Sequence, residues 1–189
     1  MVESNAIPSF AKLTDLATER LGGKVLLCSD DFFAEKENLI KPGRGVFITD
    51  KYTDRGKWMD GWESRRKRTA GHDWCIIQLA SSGKIHGVDI NTNHFLGNHP
   101  PHASIEAASI TSTGSIGFDN EEWKEILPKS PLKPGSQNFY DITDQSTYTH
   151  LRLNIYPDGG VARLKVYGEV VKDWSAVKDE ESIDRKSVV

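Results

Sequence analysis

From residue 24 onward, apolar residues recur in short runs separated by Gly, Pro, Ser and Asn, which is the rhythm of strands and turns. KVLLCS (24–29), GVFI (45–48), DWCIIQLA (73–80) and KIHGVDIN (84–91) each read as a strand, and in HASIEAAS (102–109) Ala103, Ile105 and Ala107 share one face. The sharpest pattern lies at 149–170, where Leu151, Leu153 and Ile155 alternate with Arg152 and Asn154 ahead of Pro157-Asp158-Gly159-Gly160, and Val161, Leu164, Val166 and Val170 follow. Period two around a Gly-rich turn predicts a β-hairpin, with Arg152 and Asn154 directed away from the core and a bulge at Ala162-Arg163, where the alternation slips. Earlier, Phe10, Leu13, Leu16, Ala17 and Leu21 fall at helical spacing between Ser9 and Gly22-Gly23, so one short helix is expected over 9–21. Residues 119–137 predict a helical turn at Glu121–Ile126 and then a Pro/Gly connector. About eight short strands with long loops and little helix predict an all-β fold, an antiparallel β-sandwich of jelly-roll type with a short N-terminal helix. The expected organisation is an N-terminal segment at 1–21, one β domain at 22–171 and a polar C-terminal tail at 172–189.

Charge removes one class of function. The 189 residues hold 24 basic and 27 acidic side chains, a formal net charge of -3, whereas phosphate neutralisation by a non-specific nucleic-acid binder calls for a basic surface. No nucleic-acid partner is expected. No run is long and apolar enough for a membrane span and the N-terminus has no apolar h-region, so the expectation is a cytoplasmic protein with no membrane partner. The two cysteines, Cys28 and Cys75, lie in apolar runs and read as free buried thiols.

Within this mildly acidic chain, GWESRRKRTAGHDW (61–74) sets Arg65, Arg66, Lys67 and Arg68 between Trp62 and Trp74, with Glu63 and Asp73 flanking. Guanidinium groups match a carboxylate bidentately, so Arg65 or Arg66 could hold an organic acid; a basic surface loop pairing with Asp60, Glu63 and Asp73 is the plainer alternative. The tryptophans favour an ordered loop. His72 beside Asp73 is a weak acid–base pair, since neighbours in a strand point apart. His94, His99 and His102 fit no zinc spacing, although a loop made rigid by Pro100-Pro101 could line a pocket with Asn98 and His99. Asp30 and Asp31 read as turn caps ahead of cation ligands. The phosphate-loop, dinucleotide, zincin and serine-hydrolase motifs are all missing from the sequence.

Taken in order, GGKVLLCSDDFFAEKENLIKPGRGVFI, GKWMDGWESRRKR, GHDWCIIQL, DINTNHFLGNHPP and LRLNIYPDGGVARLKVYGEV resemble the repeat of the allantoicases, from about Leu21 to Val171. The resemblance implies a galactose-binding-like jelly-roll and an amidinohydrolase of purine catabolism that splits allantoate, with water, into ureidoglycolate and urea. It calls for no cofactor and no metal. On it, Arg65 or Arg66 would pin the substrate carboxylate, and His72 or His99 would protonate the leaving urea nitrogen. Glu63, Asp73 or Asp31 would activate water or deprotonate the remaining ureido arm. Asn98 would hold ureido groups, and Trp62 joins the substrate-binding set. Family members carry two such modules and this sequence carries one, so pairing with a second repeat or with another copy is the partner expectation. Asn91 stands where the family usually has Asp. Beside the enzyme reading stands another, a jelly-roll module that binds a small ligand or partner without turnover.

Overall fold

A single long strand joins the two layers of the molecule, whose computed structural model describes residues 7–110, Phe118 and residues 122–172. That strand is β6 (Asp73–Asn91), the sixth of twelve among the described residues, after β1 (Thr14–Asp15), β2 (Lys24–Cys28), β3 (Tyr52–Thr53), β4 (Gly56–Lys57) and β5 (Trp62–Glu63). Beyond it come β7 (His102–Ala108), β8 (Lys124–Pro131), β9 (Phe139–Asp141), β10 (Thr147–Tyr156), β11 (Gly160–Val161) and β12 (Arg163–Val170). The first half of β6 pairs with β10 and β2, and the sheet continues through β10 to β7 and β8. Its second half pairs with β12 and β9, and β12 carries β1. Every pairing is antiparallel.

For one strand to serve both layers, its inward face must switch. To the main core β6 gives Cys75, Ile77, Leu79 and Ile85 on the odd register and then Val88 and Ile90 on the even one, while Ile76 is buried outside that cluster. The change falls where Tyr167 pairs with Gly87 and Gly168 with Ile85, leaving His86 as the extra residue of a bulge. Both halves of β6 therefore reach one core, shared with Ile105 of β7, Leu151, Leu153 and Ile155 of β10, and Leu164 and Val166 of β12. This is the antiparallel jelly-roll sandwich expected from the alternation.

Five local expectations are corrected. The hairpin does not form: β10 and β12 each pair with β6, which lies between them, and the Gly-rich turn leads instead into β11, bound to β5. The slip at Ala162-Arg163 is the break between β11 and β12. The helix expected over 9–21 is two 3-10 turns, Ser9–Lys12 and Glu19–Leu21, on either side of β1. There the backbone is recruited by the sheet: Leu16 N–H donates to Val166 and Ala80 N–H to Leu16, which a helix could not supply. GVFI forms no strand, and Val46, Phe47 and Ile48 are exposed. At Glu121–Ile126, Glu121 lies outside the described residues, and the chain from Lys124 is β8, an edge strand, the place where Pro128 and Pro131 are tolerated. The tail lies outside the described residues apart from Lys172.

The alternation in β10 holds, with a twist. Arg152 and Asn154 do face away from the core, yet both are partnered within the protein, and Asn154 is buried. Arg152 Nε and Asn154 Nδ2 both donate to Glu106 Oε2, at 2.7 and 2.8 Å.

At the far end of β6, Asp89 and Asn91 are fully buried. Asp89 accepts from Gln137 Nε2 at 3.0 Å, Asn138 N at 3.1 Å and Asn91 Nδ2 at 3.4 Å. Asn91 Oδ1 accepts from Asn93 N at 2.8 Å, closing the turn after the strand. An aspartate at 91 could close that turn, but it would replace the amide donor facing Asp89 with a second carboxylate. Burial already raises the Asp89 carboxyl above the usual carboxylate range. Its stabilising preference for the proton is therefore present at low pH and fades as pH rises. Asn91→Asp is expected to destabilise the fold by about 1–3 kcal/mol at neutral pH. In denaturant titrations the loss should shrink towards acidic pH, as the two carboxyls become protonated; an equal loss at both pH values would refute this account.

Candidate functional site

Four chain segments meet at one end of the sandwich, and Glu63 is where they join. On one side its N–H donates to Ala34 O at 3.0 Å, and its carbonyl accepts from Phe33 N and Ala34 N at 3.2 and 3.3 Å. On the other, it pairs with Gly160 as Trp62 pairs with Val161. Ser64 N–H donates to Gly159 O at 3.1 Å, and Gly160 N–H to Asn98 O at 2.8 Å, which draws in the third and fourth segments. Gly159 has φ of 135°, and a Cβ there would sit 2.6 Å from the Asn98 carbonyl oxygen, so only glycine permits this approach.

The convergence leaves two adjoining hollows of about 340 and 350 Å³, which share Phe33, Glu63, Gly97 and Asn98. The first is completed by Arg55, Lys57, Met59, His94 and Leu96. The second takes in Ser64, Arg66, His99 and Asp158. Together they have the size of a small-ligand site.

Glu63 is the electrostatic centre. Its carboxylate accepts from Asn98 Nδ2 at 2.7 Å and has no cation within ion-pair reach among the described residues. Burial pushes its carboxyl above the ordinary glutamate range, and the Asn98 bond partly opposes that. A carboxyl so placed, in a hollow and without a structural counter-charge, has the setting of a proton-transfer group. His99 Nδ1 lies 3.0 Å from the Leu96 carbonyl. A carbonyl only accepts, so Nδ1 carries the hydrogen and Nε2 remains for other work.

The run of four cations divides in two. Arg65 binds Asp30 through its backbone N and through Nε, both at 2.8 Å, with Nη2 at 2.6 Å. Lys67 Nζ binds Asp73 at 2.9 Å, while its N–H donates to Asp158. Arg66 and Arg68 have no partner among the described residues. Arg66 borders both the second hollow and a basic recess of about 440 Å³ lined by Ser29, Asp30, Asp73 and residues 65–69.

Of the residues singled out in the sequence, Glu63, Arg66, Asn98 and His99 meet in one hollow. The others lie elsewhere. Trp62 is fully buried, its Nε1 donating to the Asp30 carbonyl, so it packs beneath the site. Asp73 is buried against Lys67 and Ser29. His72 stacks on Tyr156 with ring centroids 4.7 Å apart, and its Nε2 is 3.2 Å from Asn154 Oδ1, on the polar outer face of β10. Asp31, beside Lys36, lines a larger hollow of about 490 Å³ that borders the first through Phe33, Arg55 and Met59. Sequence reasoning missed Arg55, Lys57, Ser64 and Asp158, residues of loops and short strands with no periodic pattern to mark their direction. Among the described residues, no three His, Cys, Asp or Glu side chains are grouped as a metal site.

A family model described as the Allantoicase repeat matches residues 14–171. Probable allantoicase 1 of Burkholderia mallei (strain ATCC 23344) is 51% identical over 175 residues, covering 92% of this chain and 51% of the relative. Among solved structures, the Saccharomyces cerevisiae allantoicase crystal structure superposes with a TM-score of 0.75 at 38% identity, over 85% of this chain and 49% of that one. A CBM32 module from a Clostridium perfringens family 31 glycoside hydrolase gives 0.59 at 14% identity over 87% of this chain and all of that one, a likeness of fold alone. The chain thus spans about half the length of the curated relatives it matches. On the family match, the identity and the shared fold, the chain belongs to the allantoicase family.

Proposed function

We propose that this chain carries an allantoate-hydrolysing site, producing ureidoglycolate and urea, in the paired hollows around Glu63. The observation that carries the reading is the pairing of opposites left uncombined: among the described residues Glu63, desolvated, has no cation and Arg66 has no anion, and the two border the same hollow. Allantoate presents a carboxylate and two ureido arms on one carbon. Arg66 takes the carboxylate, and Asn98, with its neighbouring backbone groups, receives a ureido arm.

Glu63 then removes the proton from the nitrogen of the arm that stays. The freed electron pair forms a C=N bond as the bond from the central carbon to the other arm breaks. The departing nitrogen takes a proton from Nε2 of His99 in its imidazolium form, the ring keeping its Nδ1–H on the Leu96 carbonyl. Water adds across the C=N bond: its oxygen joins the carbon, the nitrogen recovers a proton from Glu63, and the water proton returns to His99. The products are ureidoglycolate and urea, and both catalytic groups end as they began. Arg65 and Trp62 act through Asp30, which fixes the start of the segment that bears Glu63.

The test is urea release from allantoate by this chain, with its molecular size in solution and a calorimetric titration run alongside. Urea release is expected; binding without urea at high protein concentration would overturn the catalytic reading in favour of a ligand-binding module.

Glu63→Gln is expected to lower kcat by ~10²–10⁴-fold, the usual worth of one acid–base group. Arg66→Ala should raise KM by roughly 10- to 100-fold with kcat little changed, since a charge-assisted anchor is lost. An unchanged KM would remove Arg66 from substrate binding. The acidic limb of kcat/KM should follow Glu63, which works ionised. Removing the Asn98 N–H takes a hydrogen bond from the charged form, so Asn98→Ala should move that limb to higher pH; a limb that stays in place would detach it from Glu63.

A further inference from the structure

The two cysteines, 47 positions apart, lie directly opposite each other where β2 meets β6, Cys28 against Cys75. The adjacent pair, Ser29 and Trp74, is joined through Ser29 N–H and the Trp74 carbonyl at 2.9 Å. Pairs in an antiparallel ladder alternate, so Cys28 and Cys75 occupy a non-hydrogen-bonded position, with Cα atoms about 4.5 Å apart and side chains leaning together. Disulfides span Cα separations of about 4.4–6.8 Å. Both thiols are free and share a hydrogen bond.

They differ in access. Cys75 is fully buried, whereas Cys28 is half-buried on β2, which among the described residues pairs with β6 alone. The hydrogen bond from Cys75, aided by the nearby Lys36 ammonium, lowers the Cys28 thiol, while burial pushes the Cys75 thiol up. This is the division between an attacking thiol and a resolving one.

We propose that Cys28 and Cys75 are a reversible oxidation site, forming a cross-strand disulfide by exchange with a small-molecule disulfide. Cys28 thiolate attacks one sulfur of the reagent, forming a mixed disulfide and releasing one equivalent of thiolate. Cys75 then loses its proton and attacks Cys28 Sγ; the mixed bond breaks and the second thiolate leaves. The two protein sulfurs give up two electrons in total, the reagent disulfide gains them, and the two protons end on the released thiols. The new bond would fix the root of the segment that orients Glu63. Ser29 follows Cys28 and donates to Asp73, and Asp30 holds Arg65 and Trp62.

The test incubates the folded chain with oxidised glutathione and follows it by intact mass, non-reducing gel and peptide mapping. The expected product is a monomer lighter by two hydrogens, with Cys28 linked to Cys75, restored by dithiothreitol and melting roughly 5–10 °C higher than the reduced chain. Cys75→Ser should stop at glutathione bound to Cys28, and Cys28→Ser should not react. The proposal is overturned if the native chain itself stops at the glutathione adduct, if neither thiol reacts while folded, if the link joins two chains, or if Cys75 reacts in the absence of Cys28.

Discussion

The site end of the molecule depends on one buried ion pair. Arg163 opens β12 with a side chain only 3% exposed; its Nη2 donates to Asp60 Oδ2 at 2.8 Å and its Nη1 to the Asp60 and Ala162 carbonyls. Asp60 in turn accepts from Val46 N at 2.9 Å. Between Lys41 and Gly61 the only regular structure is β3 and β4, two residues each, so that stretch has little ladder of its own. The guanidinium supplies a charged attachment from the sheet, beside the hydrogen bond from Asn93 Nδ2 to the Gly45 carbonyl at 2.9 Å. Its value is positional: a buried pair adds little net stability against a well-packed apolar substitute, but losing one partner strands a buried charge. Glu63 follows Asp60 by three residues. The hollows' first wall, Arg55, Lys57 and Met59, lies in the stretch that Asp60 tethers.

How much of this could be read from the chain varied with how local the physics is. Leu151, Leu153 and Ile155 point inward as their alternation requires, because a strand buried on one face has only one acceptable register. What alternation does not carry is the identity of the partner strand. The runs on either side of Pro157–Gly160 look like a hairpin because each is a good strand, yet β6 lies between them. Their apolar residues pack equally well in either topology. The 9–21 stretch failed for a related reason: its helical spacing was real, but pairing Leu16's backbone with the sheet satisfies groups that a helix would have satisfied itself. Leu21, part of that apparent stripe, is exposed.

Site residues followed the same division. Glu63, Arg66, Asn98 and His99 come from two of the loop motifs, and the loops converge. His72 and Asp73 belong to the motif adjoining the cations, but they stand at the entrance to β6, where consecutive side chains separate. One turns to Asn154 and the other to Lys67, and neither lines the hollows around Glu63. The Asp89–Asn91 contact was out of reach for sequence alone, since an Asn that closes a turn and an Asn that spares a buried carboxylate a like-charged neighbour read identically.

Charge pairing also explains why a slightly acidic chain concentrates cations in one stretch. Arg65 and Lys67 alternate with Arg66 and Arg68, and alternation in an extended segment sends neighbours to opposite sides. The first two turn to Asp30 and Asp73 and hold the segment down. The other two are left without partners among the described residues. Asp158 lines the second hollow with Arg66, but its carboxylate is taken up by the Lys67 N–H. Glu63 is held by a neutral amide, so it neither quenches Arg66 nor is quenched by it. An anion entering the hollow therefore meets a guanidinium that has no internal ion pair to break, beside a carboxyl that burial has already biased towards accepting a proton. In the proposed reaction anchoring and proton transfer fall to separate groups, and the paired cations hold down the segment that bears the unpaired one.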